Sequence, residues 1–317
     1  MERYRNNVTL CGGTGCTAAG SLKIRKAFVD EIKNRGLSGE INILLTACNG
    51  FCAQGPIMIV YPENIFYQKI GVADVPLIVE EHFIKGRPVE RLMYKEPIKK
   101  QPIAVIGDIP FFNLQVLRAL RNKGLIDPEN IDEYIARDGY QAAAKALTVM
   151  TPEQIISEIK RSGLRGRGGA GVPTGIKWEL CARAVSDTKY IICNRSTIEV
   201  EPHVILEGMI IGAKAIGAHK GYVYVRSGYP IVIQRLNLAI NQAREYGLLG
   251  ENIFDTGFNF DIELFRCADE FVCGEETALL MSLESKRGMP RARPPYPVEK
   301  GLWDEPTVIN TVETFAN

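Results

Sequence analysis

Apolar residues in the first part of the chain follow a helical period in some stretches and form uninterrupted runs in others. In GSLKIRKAFVDEIKNRG (20–36) the apolar residues with this period are Leu22, Ile24, Ala27, Phe28 and Ile32. They predict a helix that ends at Gly36. The runs INILLTAC (41–48) and IMIVYPENIFYQKI (57–70) predict strands, and VADVPLIVEEHFIKG (72–86) predicts a further helix. This first segment is therefore predicted to be a small α/β module with a hairpin turning at Pro62-Glu63-Asn64.

Strands and helices alternate in the second half of the chain. TPEQIISEIKRSG begins with Thr151 as N-cap and Gln154 at N3, which is a capping box. After it, strands are predicted at KYIICN, GYVYVRS and FDIELFRC, and helices at IKWELCARAV, PHVILEGMIIGAKAIGA and PIVIQRLNLAINQAREYG. This alternation indicates an α/β sheet. The polar stretch EPIKKQP (96–102) predicts a domain boundary, which gives domains 1–95 and 96–317; residues up to 150 are expected to be mostly helical.

Composition and charge narrow the class of protein. The chain has 317 residues, of which 46% are hydrophobic and 24% charged, as in ordinary globular proteins of two or three domains. The net charge of +1 argues against a nucleic-acid-binding protein. No apolar run is long enough to span a bilayer, and the start lacks the apolar core of a signal peptide. We expect a cytoplasmic protein without direct membrane insertion, whose eight cysteines stay reduced or bind metal.

Four cysteines form two closely spaced pairs in glycine-containing loops. Cys11 and Cys16 have C-x4-C spacing, and Cys48 and Cys52 have C-x3-C spacing, each pair following a predicted strand. Four thiolates from two loops favour a [2Fe–2S] cluster. Zinc is an alternative, although it favours tighter C-x2-C spacing, and buried or redox-active cysteines are another. The remaining cysteines are interpreted as small buried hydrophobic residues: Cys181, Cys193, Cys267 and Cys273.

The stretch RSGLRGRGGAGVPTGIKW (161–178) contains the pattern G-x-G-x-x-G at Gly166, Gly168 and Gly171. A dinucleotide-binding fingerprint requires a strand before the loop, whereas here a capped helix precedes it. No G-K-[ST] follows, so a Walker loop is excluded. The glycines permit close backbone approach, and the helix that follows begins near Thr174, its expected cap. Positive charge is added by Arg165, Arg167 and Lys177. The loop therefore predicts a phosphate-bearing ligand; the alternative is a flexible surface turn.

Together the cysteines and the loop resemble a known family. GLRGRGGAGVPTGIKW, FVCGEETALLMSLESKRGMPRARPPYPVEKGLW and PTVINTVETFAN resemble three signatures of the flavoprotein (51 kDa-type) subunit of NADH dehydrogenases and NAD(P)-linked hydrogenases. The resemblance extends over essentially the whole chain. Its N-terminal segment resembles the thioredoxin-like [2Fe–2S] domain that is fused to this subunit in hydrogenase-type versions. The resemblance implies that this domain precedes an α/β FMN-binding domain that is not an ordinary Rossmann fold.

The resemblance also implies the residues that contact each cofactor. Those implied to contact FMN are Gly166, Arg167 and Gly168 in the loop, Lys177 and Asn194 on the flavin side, Phe271, Gly274 and Glu275 along the isoalloxazine and ribityl chain, and Ile309, Asn310 and Thr311 at the phosphate end. Glu276 is implied to face the ribose hydroxyls of the nicotinamide nucleotide, and Tyr296 its adenine. No side chain is required as a catalytic acid or base, since the flavin carries out hydride transfer.

The chain departs from the family in three ways. A short acidic loop of the A-D-E-x-x-P-G kind is missing after Asn194, which is followed directly by Arg195. Val172 and Leu180 replace aromatic residues that the family uses near the nucleotide. The chain also stops at Asn317, before the ubiquitin-like domain and the helical domain that binds a [4Fe–4S] cluster. We expect the acidic loop and these domains in an intact gene product.

These observations predict a diaphorase subunit. It would exchange a hydride between NAD(P)H and FMN and pass single electrons to iron–sulfur clusters, with the other iron–sulfur subunits of a hydrogenase or dehydrogenase complex as partners. A hydrogenase or bifurcating complex is favoured because the cluster domain is fused to the flavin domain. One alternative is an electron-transfer or docking subunit that binds a cluster without oxidising NAD(P)H. Another is a zinc-binding regulator.

Overall fold

The computed structural model describes residues 4–194, 200–267 and 271–317. The chain divides into two compact units, Met1–Asp127 and Pro128–Asn317. The division lies later than the predicted boundary at 96–102. The reason is that residues 103–112 fold back onto the first unit, where Ile109 is fully buried beside Ile57 and Phe66. The amide of Phe66 also donates a hydrogen bond to the carbonyl of Ala104, at 2.7 Å.

The first unit is a small α/β structure. Its elements are β1 (Asn6–Cys11), α1 (Thr14–Ala18), α2 (Ser21–Asn34), β2 (Ile41–Thr46), β3 (Met58–Tyr61), β4 (Ile65–Tyr67), α3 (Val75–Ile78), β5 (Tyr94–Lys95), β6 (Pro102–Ile103) and α4 (Pro110–Asn113). Strands β2, β1, β3 and β4 form one sheet in that order, parallel between β1 and β2 and antiparallel elsewhere. The predicted helix, strands and hairpin of residues 20–70 are present.

Two stretches of the first unit are less regular than predicted. The helix expected over 72–86 is a 3₁₀ turn, the short helix α3 and a π-helical turn over Val79–Ile84. Its apolar residues still face the core, as the helical spacing of the sequence predicted. The backbone hydrogen bonds, however, follow 3₁₀ and π patterns for part of the stretch instead of a continuous α-helix. Residues 103–127 contain one short α-helix, α4, and a 3₁₀ turn at Ile106–Asp108 instead of the helices expected there.

The second unit is a mixed α/β structure. Its elements are α5 (Ile131–Ile135), α6 (Gln141–Thr148), α7 (Pro152–Arg161), α8 (Thr174–Arg183), β7 (Tyr190–Asn194), α9 (Pro202–Ile216), β8 (Lys220–Arg226), α10 (Pro230–Glu245), β9 (Gly250–Ile253), β10 (Phe258–Cys267), α11 (Glu276–Leu283), β11 (Thr307–Thr311) and α12 (Val312–Ala316). The sheet order is β11-β7-β8-β10-β9, and every neighbouring pair is parallel except β10 with β9. The predicted alternation of strands and helices is confirmed.

Helix α9 lies in the core of this unit and is held by a buried polar network. The hydroxyl of Tyr140 lies 2.8 Å from Nδ1 of His203, whose Nε2 lies 3.1 Å from Oε1 of Gln242. One turn further along α9, Glu207 accepts a hydrogen bond from the hydroxyl of Tyr134 at 2.6 Å. These contacts fasten α5, α6 and α10 to α9. None of the helices in the described residues has both the length and the apolar character needed to cross a bilayer.

Candidate functional site

A cavity of about 320 Å³ opens where two adjacent parallel strands of the second unit end. Strands β7 and β11 pair in register, so Asn194 lies opposite Thr311 at their carboxyl ends. The hydrophobic runs before these residues are buried, which brings the polar side chains to the edge of the sheet. The carboxyl ends of parallel strands are the usual place for ligand sites in such sheets.

The glycine loop forms one wall of the cavity. Two hydrogen bonds of 2.9 Å close the loop at its base. The amide of Gly166 donates to the carbonyl of Val172, and the amide of Thr174 donates to the carbonyl of Leu164. Gly169 and Gly171 have φ angles of +114° and +63°, which residues with a Cβ rarely adopt. The glycine loop is therefore a structured turn closed by backbone hydrogen bonds.

Thr174 is not the helix cap that the sequence suggested. It is the first residue of α8, its hydroxyl is buried without a partner, and Pro173 occupies the cap position. Within the described part of the chain, no side chain caps the first amides of α8, and the amide of Thr174 donates to the carbonyl of Leu164 instead.

A chain of charged side chains crosses the cavity. The ammonium of Lys177 donates to the carbonyl of Ile309 at 2.7 Å and lies 3.1 Å from Oε2 of Glu276. The guanidinium of Arg293 then bridges Oε1 of Glu276 at 2.9 Å and Oε1 of Glu275 at 2.5 Å. The second oxygen of Glu275 accepts from the amides of Thr277 and Ala278, so this residue caps α11. Glu276 thus lies between two cations at the centre of the site.

The side-chain amides of Asn194 and Asn310, near the ends of β7 and β11, supply both hydrogen-bond donors and acceptors. The amide nitrogen of Asn194 donates to the carbonyl of Gly274 at 3.1 Å, while its buried oxygen has no partner. A buried acceptor without a donor is costly, so this oxygen is suited to a ligand N–H or hydroxyl. Asn310, with its oxygen turned to the indole of Trp178, accepts a hydrogen bond at 3.0 Å. This second contact fixes the end of β11 against α8.

Most of the site residues implied by the resemblance line this one cavity. They are Gly166, Gly168, Lys177, Asn194, Gly274, Glu275, Glu276, Tyr296, Ile309, Asn310 and Thr311. Two others are not in the lining. The side chain of Arg167 points towards Glu313, 3.9 Å away, although its backbone amide donates to the hydroxyl of Thr314. Phe271 is 85% exposed.

Sequence reasoning missed two lining residues with polar side chains, Arg293 and Thr314. Both lie within quoted signatures: Arg293 three residues before Tyr296, and Thr314 three residues after Thr311. Arg293 is distant in sequence from Glu275 and Glu276, so no local pattern marked it as their partner. The prediction of a missing acidic loop after Asn194 falls on residues 195–199, which lie outside the described residues.

A second, more apolar hollow of about 440 Å³ shares one side with the cavity. The residues common to both are Val172, Lys177, Glu276 and Tyr296. Val172 and Leu180, the two aliphatic replacements, both lie in its wall and are about half exposed. Tyr296 is also about half exposed, so an aromatic face is accessible there. The aliphatic wall and the accessible face of Tyr296 together suit a ligand with a flat aromatic ring.

The two cysteine pairs meet in the first unit. Cys11 and Cys16 are buried, Cys48 is half-buried and Cys52 is exposed. A hydrogen bond between Cys11 and Cys16 raises the pKa of the Cys11 thiol and lowers that of Cys16. Cys11 also hydrogen-bonds to Cys48, and Cys52 is close enough to Cys16 to interact electrostatically. A Cβ on Gly55 would lie 2.7 Å from Sγ of Cys16, so only glycine fits there.

Within the described ranges, no three His, Cys, Asp or Glu side chains are arranged as ligands of a single metal ion. The other four cysteines lie buried in the second unit, as predicted. Burial raises the pKa of Cys181 to about 12, so its thiol stays protonated and inert.

Comparison with known proteins identifies the family of the second unit. Residues 159–317 match the model of the Nuo51 FMN-binding domain, and this match spans half of the chain. The chain belongs to the Nuo51 family. The matched segment begins within α7 and contains the glycine loop, β7, α11 and β11, so all of the cavity lining described above falls within the Nuo51 domain.

Relatives within the Nuo51 family are longer proteins. The chain is 55% identical over 213 residues to the NADP-reducing hydrogenase subunit HndC of Solidesulfovibrio fructosivorans, covering 64% of this chain and 43% of that one. It is 50% identical over 199 residues to an NADH-quinone oxidoreductase subunit of Aquifex aeolicus, covering 59% and 46%. The chain thus spans less than half the length of these curated relatives.

A solved structure shares the architecture. The chain is similar to a chain of the air-oxidised NAD+-reducing [NiFe]-hydrogenase, with a TM-score of 0.51 and 25% identity, over 100% of this chain and 52% of that one.

Proposed function

We propose that the chain is part of an oxidoreductase subunit that binds FMN in the cavity of the second unit and oxidises NAD(P)H, or reduces NAD(P)+, there. The observation that carries this proposal is the convergence of the glycine loop, the Glu275-Glu276 pair and the ends of β7 and β11 around one cavity. When bound, FMN accepts two electrons as a hydride from the nicotinamide nucleotide and releases them singly.

The residues present fit FMN. The glycine loop lets backbone amides approach a phosphate. The unpaired oxygen of Asn194 is suited to a flavin N–H or a ribityl hydroxyl, and Thr311 and Thr314 offer further hydroxyls. Lys177 supplies a positive charge in the cavity lining.

The nicotinamide nucleotide is proposed to lie over the flavin and to extend into the apolar hollow. Glu276 would accept hydrogen bonds from ribose hydroxyls, and Tyr296 would contact the adenine. Because Glu276 already pairs with Lys177 and Arg293, binding has to exchange part of this pairing for contacts to the nucleotide. Hydride transfer requires no protein acid or base.

The first unit is proposed to be a thioredoxin-like domain in which Cys11, Cys16, Cys48 and Cys52 hold a [2Fe–2S] cluster. In such a cluster four thiolates are shared between two irons, so pairs of neighbouring cysteines suffice. Gly55, which packs against Sγ of Cys16, fits this use. So does the amide of Gly50, which donates to Sγ of Cys48 at 3.3 Å. Bound there, the cluster accepts one electron at a time.

The whole protein is proposed to work with other iron–sulfur subunits, as the names of its relatives indicate for hydrogenase and NADH-quinone oxidoreductase complexes. A [4Fe–4S] cluster in a C-terminal part remains a prediction. These names favour the oxidoreductase over a docking subunit without NAD(P)H oxidation.

An anaerobic visible spectrum of the purified protein tests the proposal. We expect one FMN per chain, together with iron and labile sulfide, and bleaching of the flavin bands on addition of NADH or NADPH. Cluster absorbance without flavin would instead support the docking subunit, and zinc in place of iron would support the regulator.

A further inference from the structure

The segment 122–124, near the end of the first unit, packs against the loop that carries Cys48. Asn49, the next residue in that loop, is buried, and its backbone hydrogen-bonds to the thiol of Cys11. The backbone of Gly124 approaches so closely that a Cβ there would lie 2.7 Å from Oδ1 of Asn49. This part of the chain, far from the cysteines in sequence, therefore forms a wall beside them.

Lys123 extends from this wall over the cysteine loop. A Cβ on Gly50 would lie 3.8 Å from Nζ of Lys123, and Nζ lies 5.7 Å from the ring centroid of Phe112. The side chain is half-buried. Burial lowers the pKa of Lys123, whereas charge on Cys48 and Cys11 acts in the opposite direction. A bound anionic cluster would favour the ammonium form in the same way.

Aromatic packing holds the loop and this lysine together. Phe51, between Cys48 and Cys52, stacks on Phe111 with ring centroids 4.5 Å apart, and meets Phe112 edge-on at 5.5 Å. The ammonium of Lys123 lies over the ring of Phe112. The same aromatic cluster therefore contacts both the cysteine loop and the ammonium of Lys123.

We propose that Lys123 tunes the reduction potential of the cluster at Cys11, Cys16, Cys48 and Cys52, an inference that rests on the proposed cluster site. Reduction adds one negative charge to the cluster. A fixed positive charge nearby stabilises the reduced form more than the oxidised form and so raises the potential. Partial burial limits screening by salt.

An anaerobic redox titration of the full chain, followed by the paramagnetic signal of the reduced cluster, tests this. Lys123→Gln and Lys123→Met both remove the charge, and Met keeps the apolar stem over Phe112. At the wild-type midpoint potential we expect the ratio of reduced to oxidised cluster to fall about tenfold in either variant. For a one-electron couple this corresponds to a midpoint potential about 59 mV lower. Lys123→Arg, which keeps the charge, is expected to stay near the wild type.

Two measurements separate failure of this inference from failure of the proposed cluster. Iron and labile sulfide are determined first: wild-type protein without them would overturn the cluster site and this inference together. Loaded charge-removing variants with the wild-type midpoint would overturn the role of Lys123 alone. Lys33→Gln is the matched control, because Lys33 is exposed at the end of α2 remote from Cys16. An equal shift in Lys33→Gln would also contradict the inference.

Discussion

Asn194 and Thr311 are register partners at the carboxyl ends of β7 and β11, although 117 residues separate them in sequence. This pairing creates the edge on which the proposed FMN site is built. The unpaired oxygen of Asn194 is the group at this edge that most needs a ligand donor.

Asn194→Ala is expected to weaken FMN binding. Loss of one buried hydrogen-bond acceptor costs about 1–3 kcal/mol, so the dissociation constant should rise roughly fivefold to 150-fold. Titration of flavin-depleted protein with FMN, followed by flavin fluorescence, measures this. Asn42→Ala, on a strand of the first unit, should bind FMN as the wild type does. An unchanged constant in Asn194→Ala would exclude this residue as a flavin contact.

Glu276→Gln is expected to raise KM for NAD(P)H while the flavin content stays constant. The neutral amide is a weaker acceptor for ribose hydroxyls, and the loss of about 1–2 kcal/mol corresponds to roughly fivefold to thirtyfold. Steady-state oxidation of NADH and NADPH with an artificial electron acceptor measures it. Glu263→Gln removes an exposed carboxylate from β10 and serves as the control. Loss of flavin with normal KM would place Glu276 on FMN instead.

Val172→Phe is expected to lower KM for the nucleotide. Val172 is 46% exposed in the wall of the apolar hollow, so a larger side chain meets no packed core. An added aromatic contact is worth about 0.5–1.5 kcal/mol, or roughly twofold to tenfold. The same assay applies. Val185→Phe, at a fully exposed position outside both hollows, is the control, and an equal response of both variants would contradict a local contact.

Cys16→Ser is expected to abolish the iron and labile sulfide of the cluster in the first unit, because serine is a poor replacement for one of the four thiolates. Cys181→Ser, in α8 of the second unit, should retain both. Chemical assay of iron and sulfide in the two variants is the measurement. A Cys16→Ser protein that keeps the full content would show that the cluster lies elsewhere.

His203 is expected to make stability fall in mild acid. Burial lowers its pKa to about 4, against about 6.5 in the unfolded chain. The unfolded state therefore binds the proton first, and stability present above pH 6.5 is lost as the pH falls towards 4. Between pH 7.5 and 5 the loss from this residue is about 2 kcal/mol.

Urea unfolding at the two pH values measures this loss. In His203→Asn the pH dependence should shrink by that amount, whereas in His219→Asn, with an exposed side chain, it should be unchanged. Equal pH dependence in the wild type and His203→Asn would mean that His203 titrates normally in the folded protein.

The sequence by itself determined the local features of this protein. Capping at Thr151, the glycine loop, the two cysteine pairs and the polar residues after buried strands all depend on neighbouring residues. Hydrophobic periodicity marks such elements because a helix or strand buries one face wherever it finally packs. Most residues of the cavity were named in advance from the family resemblance that these features carry; Arg293 and Thr314 were missed, and Arg167 and Phe271 were named but do not line the cavity.

Only the tertiary structure decided which distant elements meet. Periodicity contains no information on strand order, so the adjacency of β7 and β11 could not be derived from it. The return of residues 103–112 to the first unit and the bridging of Glu275 and Glu276 by Arg293 were equally non-local. The position of Lys123 over the loop that carries Cys48 is also a non-local contact. Each depends on packing between residues far apart in sequence, which burial and charge complementarity settle only once the chain has folded.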